Sequence, residues 1–184
     1  MSELLSTYLS EDHFVNAKYF TLSFLIWNTM NLIVMNLNLP DKHMKREDML
    51  DMRNRLTSLV HGTTSLFMAG YSTYFIRSQC GEHNNKFEEF LLIFSAGYFA
   101  YDLLVMAYFR ILDMTMTIHH SICITGMTIA LITGNSGDVL IACLMHTEIS
   151  NPAMHIRMVL KHLGKRYTKA YETSEVTYMS KYHL

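Results

Sequence analysis

The sequence predicts an all-α protein, a polytopic transmembrane helical bundle with about five spanning helices. Half of the 184 residues are hydrophobic and 17% are charged. The apolar residues gather into long stretches, and Lys and Arg collect in alternate connections between them. The net charge of -1 offers no basic surface for nucleic acid, and the apolar content is too high for a disordered chain.

The first two predicted spans lie before residue 77. Segment one covers residues 19–39, contains no charged side chain and stops before Pro40 and a charged stretch. Segment two covers residues 56–76 and also lacks acidic and basic residues, although His61 and several hydroxyl side chains lower its hydropathy. Each stretch is long enough to cross the hydrocarbon core of a bilayer as a helix.

Segments three and four follow the same pattern and introduce ionisable residues at membrane depth. Segment three covers residues 90–109 and holds one acidic residue, Asp102, in an apolar and aromatic run. Segment four covers residues 114–133 and carries His119 and His120 near its start. Because an unpaired charge is costly in hydrocarbon, such side chains are expected to face the inside of the bundle.

Segment five, residues 139–160, is the most polar of the predicted spans. It contains His146, Glu148, Pro152 and His155. On a helix, Glu148 and His155 fall near one face and His146 points elsewhere. Pro152 cannot donate to the carbonyl of Glu148, so a kink is expected there.

The basic residues predict the same topology independently of hydropathy. Loops on one side of a membrane protein collect Lys and Arg. If five segments cross, the loop at 40–55, Arg110 and the chain from 157 onward share a side and hold twelve of the fifteen basic residues. A soluble bundle has no reason to separate its basic loops in this way, so the pattern favours true spans.

The chain is expected to form one domain. Residues 1–18 lack the basic region of a signal peptide and the Arg-rich pattern of a transit peptide. Residues 19–163 form the predicted transmembrane domain, and residues 164–184 a polar C-terminal tail at the surface. The three cysteines form no CxxC pair, so neither a disulfide framework nor a metal site is expected.

The ionisable residues of segments three to five are the candidate catalytic residues: His119, His120, Asp102 and Glu148. A carboxylate beside a neutral imidazole makes a general base, which acyl transfer to an amine or hydroxyl requires. The alternative is a histidine pair at a helix end near lipid head groups. The histidines show no repeating spacing, so haem is not expected, and a bound lipid is the only ligand that the pattern suggests.

A second group of residues precedes and enters segment two, and it could bind a lipid head group. Its members are Arg53, Arg55, Ser58 and His61. Arg55 and Ser58 nearly align on one helix face, and a phosphate or carboxylate could dock there. A plain anchor at the membrane interface is the alternative reading.

Four stretches together resemble the TLC-domain (TRAM/Lag/CLN) family, the membrane proteins that include ceramide synthases and several lipid regulators. They are RNRLTSLVHG at 53–62, GYFAYDLL at 97–104, IHHS at 118–121 and HTEISNPAMHIR at 146–157. The resemblance implies that His119 and His120 match the paired histidines of the family. It also implies that Asp102 matches its acidic residue and Glu148 its E-S-P stretch.

The resemblance implies an acyltransferase of ceramide-synthase type if the protein is an enzyme. The sequence departs from the synthases at His146, Thr147 and Glu148, where they carry further aspartates, so it is closer to the non-synthase branches. The family domain usually continues through another spanning helix, and here a polar tail follows, so the domain is expected to be truncated.

Two functions remain open from the sequence. In the first, the protein binds or handles a lipid, either an acyl chain or a sphingolipid, and catalysis has been lost. In the second, it is a structural accessory subunit of a larger membrane complex, such as a respiratory-chain assembly, and other membrane subunits complete the bundle. The resemblance suggests the endoplasmic reticulum, and the accessory role would allow the mitochondrial inner membrane.

Overall fold

The computed structural model describes residues 11–39, 44–79 and 81–180. Within these ranges the chain forms a bundle of α-helices without strands, apart from one isolated bridge between His83 and Asn135. The predicted all-α helical bundle is confirmed. The predicted stop at Pro40 and most of the N-terminal segment 1–18 lie outside the described residues.

The helices agree with the predicted segments over most of their length. Helix α1 spans Glu11–Met35, and α2 spans Arg46–Tyr71 and continues as a π-helical turn over Ser72–Ile76. Helix α3 spans Lys86–Phe109, and α4 spans Met114–Thr133. The remaining helices are α5 over Gly137–Glu148, α6 over Asn151–His162 and α7 over Lys169–Ser180.

Local capping explains where α3 and α4 begin. The side chain of Asn85 accepts from the backbone N–H of Glu88, and the Glu88 carboxylate accepts from the backbone N–H of Asn85. This reciprocal capping box starts α3. Asp113 caps α4 by accepting from the backbone N–H of Met116 at 2.7 Å.

Residues 139–160 were predicted as one helix, and this prediction was wrong. They form parts of two helices. Helix α5 ends at Glu148 and α6 begins at Asn151, with Pro152 in the first turn of α6. Proline lacks the N–H that a continuous helix would need, and its ring would clash with the preceding turn, whereas it fits well at a helix start. The expected kink is therefore a complete break.

The polar tail contains a helix in its described part. Helix α7 packs against α6, and Tyr171 and Ser174 are buried in the contact. The guanidinium of Arg157 on α6 lies 3.3 Å from Glu175 and over the ring of Tyr178. These polar contacts hold α7 against α6. The sequence of α7 lacks the apolar periodicity by which an amphipathic helix is usually predicted.

Two packing relations define the bundle. Helix α1 runs parallel to α3, since Ser23 donates to the carbonyl of Phe94 and Trp27, one turn later, packs against Tyr98, one turn further along α3. The α5–α6 pair runs antiparallel to α2: Asp138 pairs with Arg77 at one end, and His162 pairs with Asp51 at the other. The loops after α1, α3 and α6 therefore lie at one end of the bundle, where the predicted topology places most basic residues.

Two helices, α3 and α4, are long and apolar enough to cross a membrane. Helices α1 and α2 have 25 and 26 residues but are less apolar. Helices α5 and α6 have 12 residues each, so only together do they reach the length of a span. The number of about five spans stays a prediction.

Asp51 connects α2 to α6 at the end where the α1, α3 and α6 loops lie, before the predicted span of residues 56–76. Its carboxylate lies 2.8 Å from Nε of Arg55 and 2.8 Å from Nε2 of His162. Burial by itself would raise the pKa of Asp51, but hydrogen bonding and charge from Arg55 and His162 outweigh burial and lower it. The folded state therefore favours the ionised carboxylate.

This lowered pKa predicts a pH-dependent contribution to stability. The stabilisation is fully present above the ordinary Asp pKa of about 4 and is lost as the pH falls through the lower folded value. Thermal unfolding in detergent, measured between about pH 7 and pH 3, should show the difference between wild type and Asp51→Asn shrinking below about pH 4. A difference that stays constant over this range would contradict the assignment.

Candidate functional site

Asp102 of α3 and His120 of α4 form a buried pair near the middle of the bundle. Oδ2 of Asp102 lies 2.8 Å from Nε2 of His120, and each residue is only 4% exposed. The structure thus brings together two of the four candidate catalytic residues. The carboxylate of Asp102 faces the inside of the bundle, as the sequence predicts.

Two further side chains extend this pair toward α2. The amide Nδ2 of Asn54 donates to Oδ1 of Asp102 at 2.7 Å, and the hydroxyl of Tyr101 donates to Oδ1 of Asn54 at 3.2 Å. Each carboxylate oxygen of Asp102 thus has one hydrogen-bond partner, Asn54 on Oδ1 and His120 on Oδ2. A buried polar network in which every group is paired adds rigidity to the core.

Both ring nitrogens of His120 have a partner. Its Nδ1 lies 2.8 Å from the backbone carbonyl of Met116, which can only accept, so Nδ1 carries a proton. Its Nε2 lies 2.8 Å from the carboxylate of Asp102, and one proton joins the two atoms. The pair as a whole is neutral, so the apolar interior tolerates it.

His119 points away from this pair, as expected for adjacent residues about 100° apart on a helix. Its ring is exposed and lies 3.9 Å from Sγ of Cys123 one turn later. The ring of Phe99 stands edge-on to both histidine rings. The two histidines therefore do not form one site.

Glu148 lies at the break between α5 and α6. Its Oε2 accepts from the amide of Asn151 at 2.9 Å, and its Oε1 lies 4.0 Å from Nδ1 of His61. A Cβ on Gly62 would lie 2.8 Å from Oε2 of Glu148. Glycine at this position therefore allows the buried carboxylate to approach α2.

His61 is completely enclosed. Its ring stacks on Tyr98 with centroids 3.7 Å apart, and its Nε2 lies 2.9 Å from Oγ of Ser65 and 3.3 Å from Oγ of Ser95. With 1% exposure, it has no access to a lipid head group in this arrangement. Its predicted role in head-group binding stays a prediction.

The other candidate head-group residues have separate partners. The guanidinium of Arg53 is buried and donates to the backbone carbonyls of Val34, Met35 and Leu37, where it caps α1. Arg55 pairs with Asp51, and Ser58 donates to the carbonyl of Asn54. Arg53 therefore closes a helix end, which its position in the sequence did not predict.

The remaining histidines of the predicted fifth span do not join the site. His146 is exposed and donates to the carbonyl of Ala142, whereas Nδ1 of His155 is buried without a hydrogen-bond partner. In the residues that the structure describes, no group of three or more His, Cys, Asp or Glu side chains is arranged to hold a metal ion.

The sequence analysis missed Asn54, which completes the Asp102–His120 pair, and assigned His61, which lies beside Glu148, to head-group binding. The helical period of α2 contained the signal for both. Four polar side chains lie along one face of α2, spaced three or four residues apart. They are Asn54, Ser58, His61 and Ser65, and all four are buried. Such a polar stripe in a predicted span indicates an internal hydrogen-bonding face.

A groove of about 930 Å³ lies between α1, α3 and α4, away from the buried polar pairs. Its walls are mainly apolar and are lined by Leu22, Ile26, Phe90, Ile93, Phe94, Leu131 and Ile132. The ring of Phe94, on the groove wall, packs against Trp27 with centroids 5.1 Å apart. None of the candidate catalytic residues lines this groove.

One end of the groove is polar and lies beside the connection between α4 and α5. We call this end the mouth, and its lining residues are Asn16, Tyr19, His83, Lys86, Glu89 and Thr133. The groove is thus apolar along its length and polar at one end. A long amphiphilic molecule has the same division.

The family model for the TLC domain, which groups TRAM, LAG1 and CLN8 proteins, matches residues 51–180. The match covers more than half of the chain and includes α3 to α7 and most of α2. No solved structure matches the chain.

Proposed function

The chain belongs to the TLC-domain family of membrane proteins, and from this premise we propose that it binds the acyl chain of a lipid in the groove between α1, α3 and α4. The groove is the observation that carries the proposal. Its volume of about 930 Å³ falls within the range of about 300–1,000 Å³ that is typical of small-molecule sites. Its apolar walls and polar mouth match an amphiphile in shape and polarity.

We do not extend the proposal to acyl transfer. A general base needs a free lone pair within reach of the proton that it accepts. Both ring nitrogens of His120 are engaged, Nδ1 with the carbonyl of Met116 and Nε2 with the carboxylate of Asp102, so neither offers a free lone pair to a hydroxyl or amine. This favours the non-catalytic form of the lipid-handling hypothesis.

The direct test is gentle detergent extraction of the full-length chain, followed by native mass measurement and identification of bound lipids. Lipid binding predicts a small species that retains a defined amphiphile. Migration inside a large complex without retained lipid would instead favour the accessory-subunit hypothesis, since apolar helix faces suit a neighbouring subunit as well as lipid.

A matched pair of variants tests the groove itself. Ile132 lines the groove and Ile129 does not, although both lie on α4 and are 55% exposed. Ile132→Trp should fill the groove and reduce the retained lipid per protein by about fivefold or more, because the acyl chain loses its packing surface. Ile129→Trp should leave the amount unchanged. Equal lipid content in the two variants would overturn the assignment of the groove.

A further inference from the structure

The turn between α6 and α7 carries a cluster of exposed cations. No acidic residue occurs between Glu148 and Glu172 in the sequence, so this part of the chain has only basic charges. Four basic side chains in and beside the turn are exposed, and within the residues that the structure describes none of them forms an ion pair: Lys161, Lys165, Arg166 and Lys169. We call these four residues the cationic turn. Its positive charge is not neutralised inside the protein.

Hydrogen bonds fix the shape of this turn. Gly164 follows the end of α6 with a φ of 70°, and the backbone N–H of Lys165 donates to the carbonyl of Leu160 at 2.8 Å. The hydroxyl of Thr168 donates to the carbonyl of Lys165 at 2.8 Å. These bonds reverse the chain within a few residues. The four cations are therefore held close together.

The cationic turn lies near the membrane boundary, at the basic end of the bundle. His162, next to Lys161, pairs with Asp51 of α2 at 2.8 Å, and the predicted second span begins at residue 56. Five residues of helix rise about 8 Å, which is close to the Debye length of about 8 Å at physiological ionic strength. Cations at this height still interact with the charges of a lipid surface.

An exposed aromatic ring stands among these cations. Tyr167 is 93% exposed and directly follows Arg166. Tyrosine is enriched where a membrane meets water, because its ring is apolar and its hydroxyl is polar. Lysine and arginine suit the same layer, since their stems can cover apolar groups while their charges meet phosphates. This combination fits lipid head groups better than a soluble polyanion.

We propose that the cationic turn binds the head groups of anionic phospholipids at the membrane surface. The site is separate from the groove between α1, α3 and α4, and it does not depend on what the groove holds. It also differs from the head-group site suggested by the sequence, where Arg53 and Arg55 pair with groups inside the protein. The side chains of the cationic turn remain available for an external partner.

The test offers the full-length protein equal amounts of dioleoyl phosphatidylglycerol and dioleoyl phosphatidylcholine in a neutral detergent. The two lipids have the same acyl chains, and only the first has a net negative charge. Native mass spectrometry counts the bound molecules of each. Because the chains are identical, a preference for the anionic lipid reports binding of the head group. Ile132→Trp, which fills the groove, should keep this preference.

The wild type should prefer the anionic lipid by about tenfold or more, because each cation near an anionic surface contributes about fivefold in affinity. The double variant Lys165→Gln with Arg166→Gln should reduce the preference by about tenfold or more for the same reason. Arg166→Lys keeps the positive charge and should leave the preference unchanged.

Lys18→Gln is the matched control for Arg166→Gln, because it removes one exposed cation from the start of α1, at the opposite end of the bundle. Arg166→Gln should lower the preference by about fivefold, and Lys18→Gln should leave it unchanged. Equal binding of the two lipids by the wild type, or an unchanged preference in the double variant, would overturn the proposal while lipid binding in the groove stands.

Inorganic phosphate distinguishes a lipid site from a site for a free anion. At equal ionic strength, phosphate should displace no more anionic lipid than sodium chloride does, because it lacks the lipid surface that holds many head groups beside the turn. Stronger displacement by phosphate would assign the cationic turn to free phosphate and would overturn its assignment to the membrane surface.

Discussion

Asp102→Ala should lower the free energy of unfolding by about 2–5 kcal/mol, because it leaves two buried polar groups without their hydrogen-bond partner, at about 1–3 kcal/mol each. The carboxylate lies 2.8 Å from Nε2 of His120 and accepts from the amide of Asn54 at 2.7 Å, and alanine can pair with neither. Thermal or chemical unfolding in detergent measures the change. The loss should appear even when lipid retention in the groove is unaltered.

The adjacent histidine provides the control. His119 is exposed and has no carboxylate partner among its contacts in the described residues, so His119→Ala should change stability by no more than about 0.5 kcal/mol. The double variant Asp102→Leu with His120→Leu removes both partners together. It should be less destabilised than Asp102→Ala, since no buried imidazole is left without its partner. Equal losses for Asp102→Ala and His119→Ala would refute the buried Asp102–His120 pair.

Gly97→Ala should destabilise the protein by about 1–3 kcal/mol, although alanine normally favours a helix over glycine. A Cβ at this position would clash with Oγ of Ser23 and would lie 2.7 Å from Cβ of Ser23 and 3.0 Å from the backbone N of Phe24. Because backbone atoms of α1 lie in the way, the clash cannot be relieved by a side-chain rotation. Helix α1 would have to move away from α3.

Gly126→Ala is the matched control on a neighbouring helix. Its nearest contact would be Cδ2 of Leu140 at 3.8 Å, which is ordinary van der Waals distance. This substitution should therefore stabilise the protein by about 0.5–1 kcal/mol, through the lower chain entropy of alanine in the unfolded state. The two variants are expected to shift the unfolding midpoint in opposite directions, and a shift in the same direction would contradict the close α1–α3 contact.

Much of the fold was predictable because it depends on local patterns. Apolar length and the separation of basic loops predicted the helices, and the limits of α4 agree with the predicted segment. Helix geometry predicted that the side chains of His119 and His120 point in different directions. The inward position of Asp102 followed from the cost of a charge in an apolar environment.

The site was less predictable because it depends on which helices become neighbours. Nothing local to Arg53 indicates that its guanidinium caps α1, and nothing near Glu148 indicates that Gly62 leaves room for its carboxylate. Helix α7 was missed because polar contacts with Arg157 hold it. The groove combines residues from three helices that are far apart in the sequence.

By itself, the sequence determined that this protein is helical, which segments are apolar, and that Asp102 needed a buried partner, because these properties follow from hydrogen bonding and solvation along one segment. Only the tertiary structure decided that His120 is that partner, that Glu148 at the break between α5 and α6 lies close to His61, and that a groove with a polar mouth lies between α1, α3 and α4. Those features depend on distances between segments, which are set when the whole bundle packs.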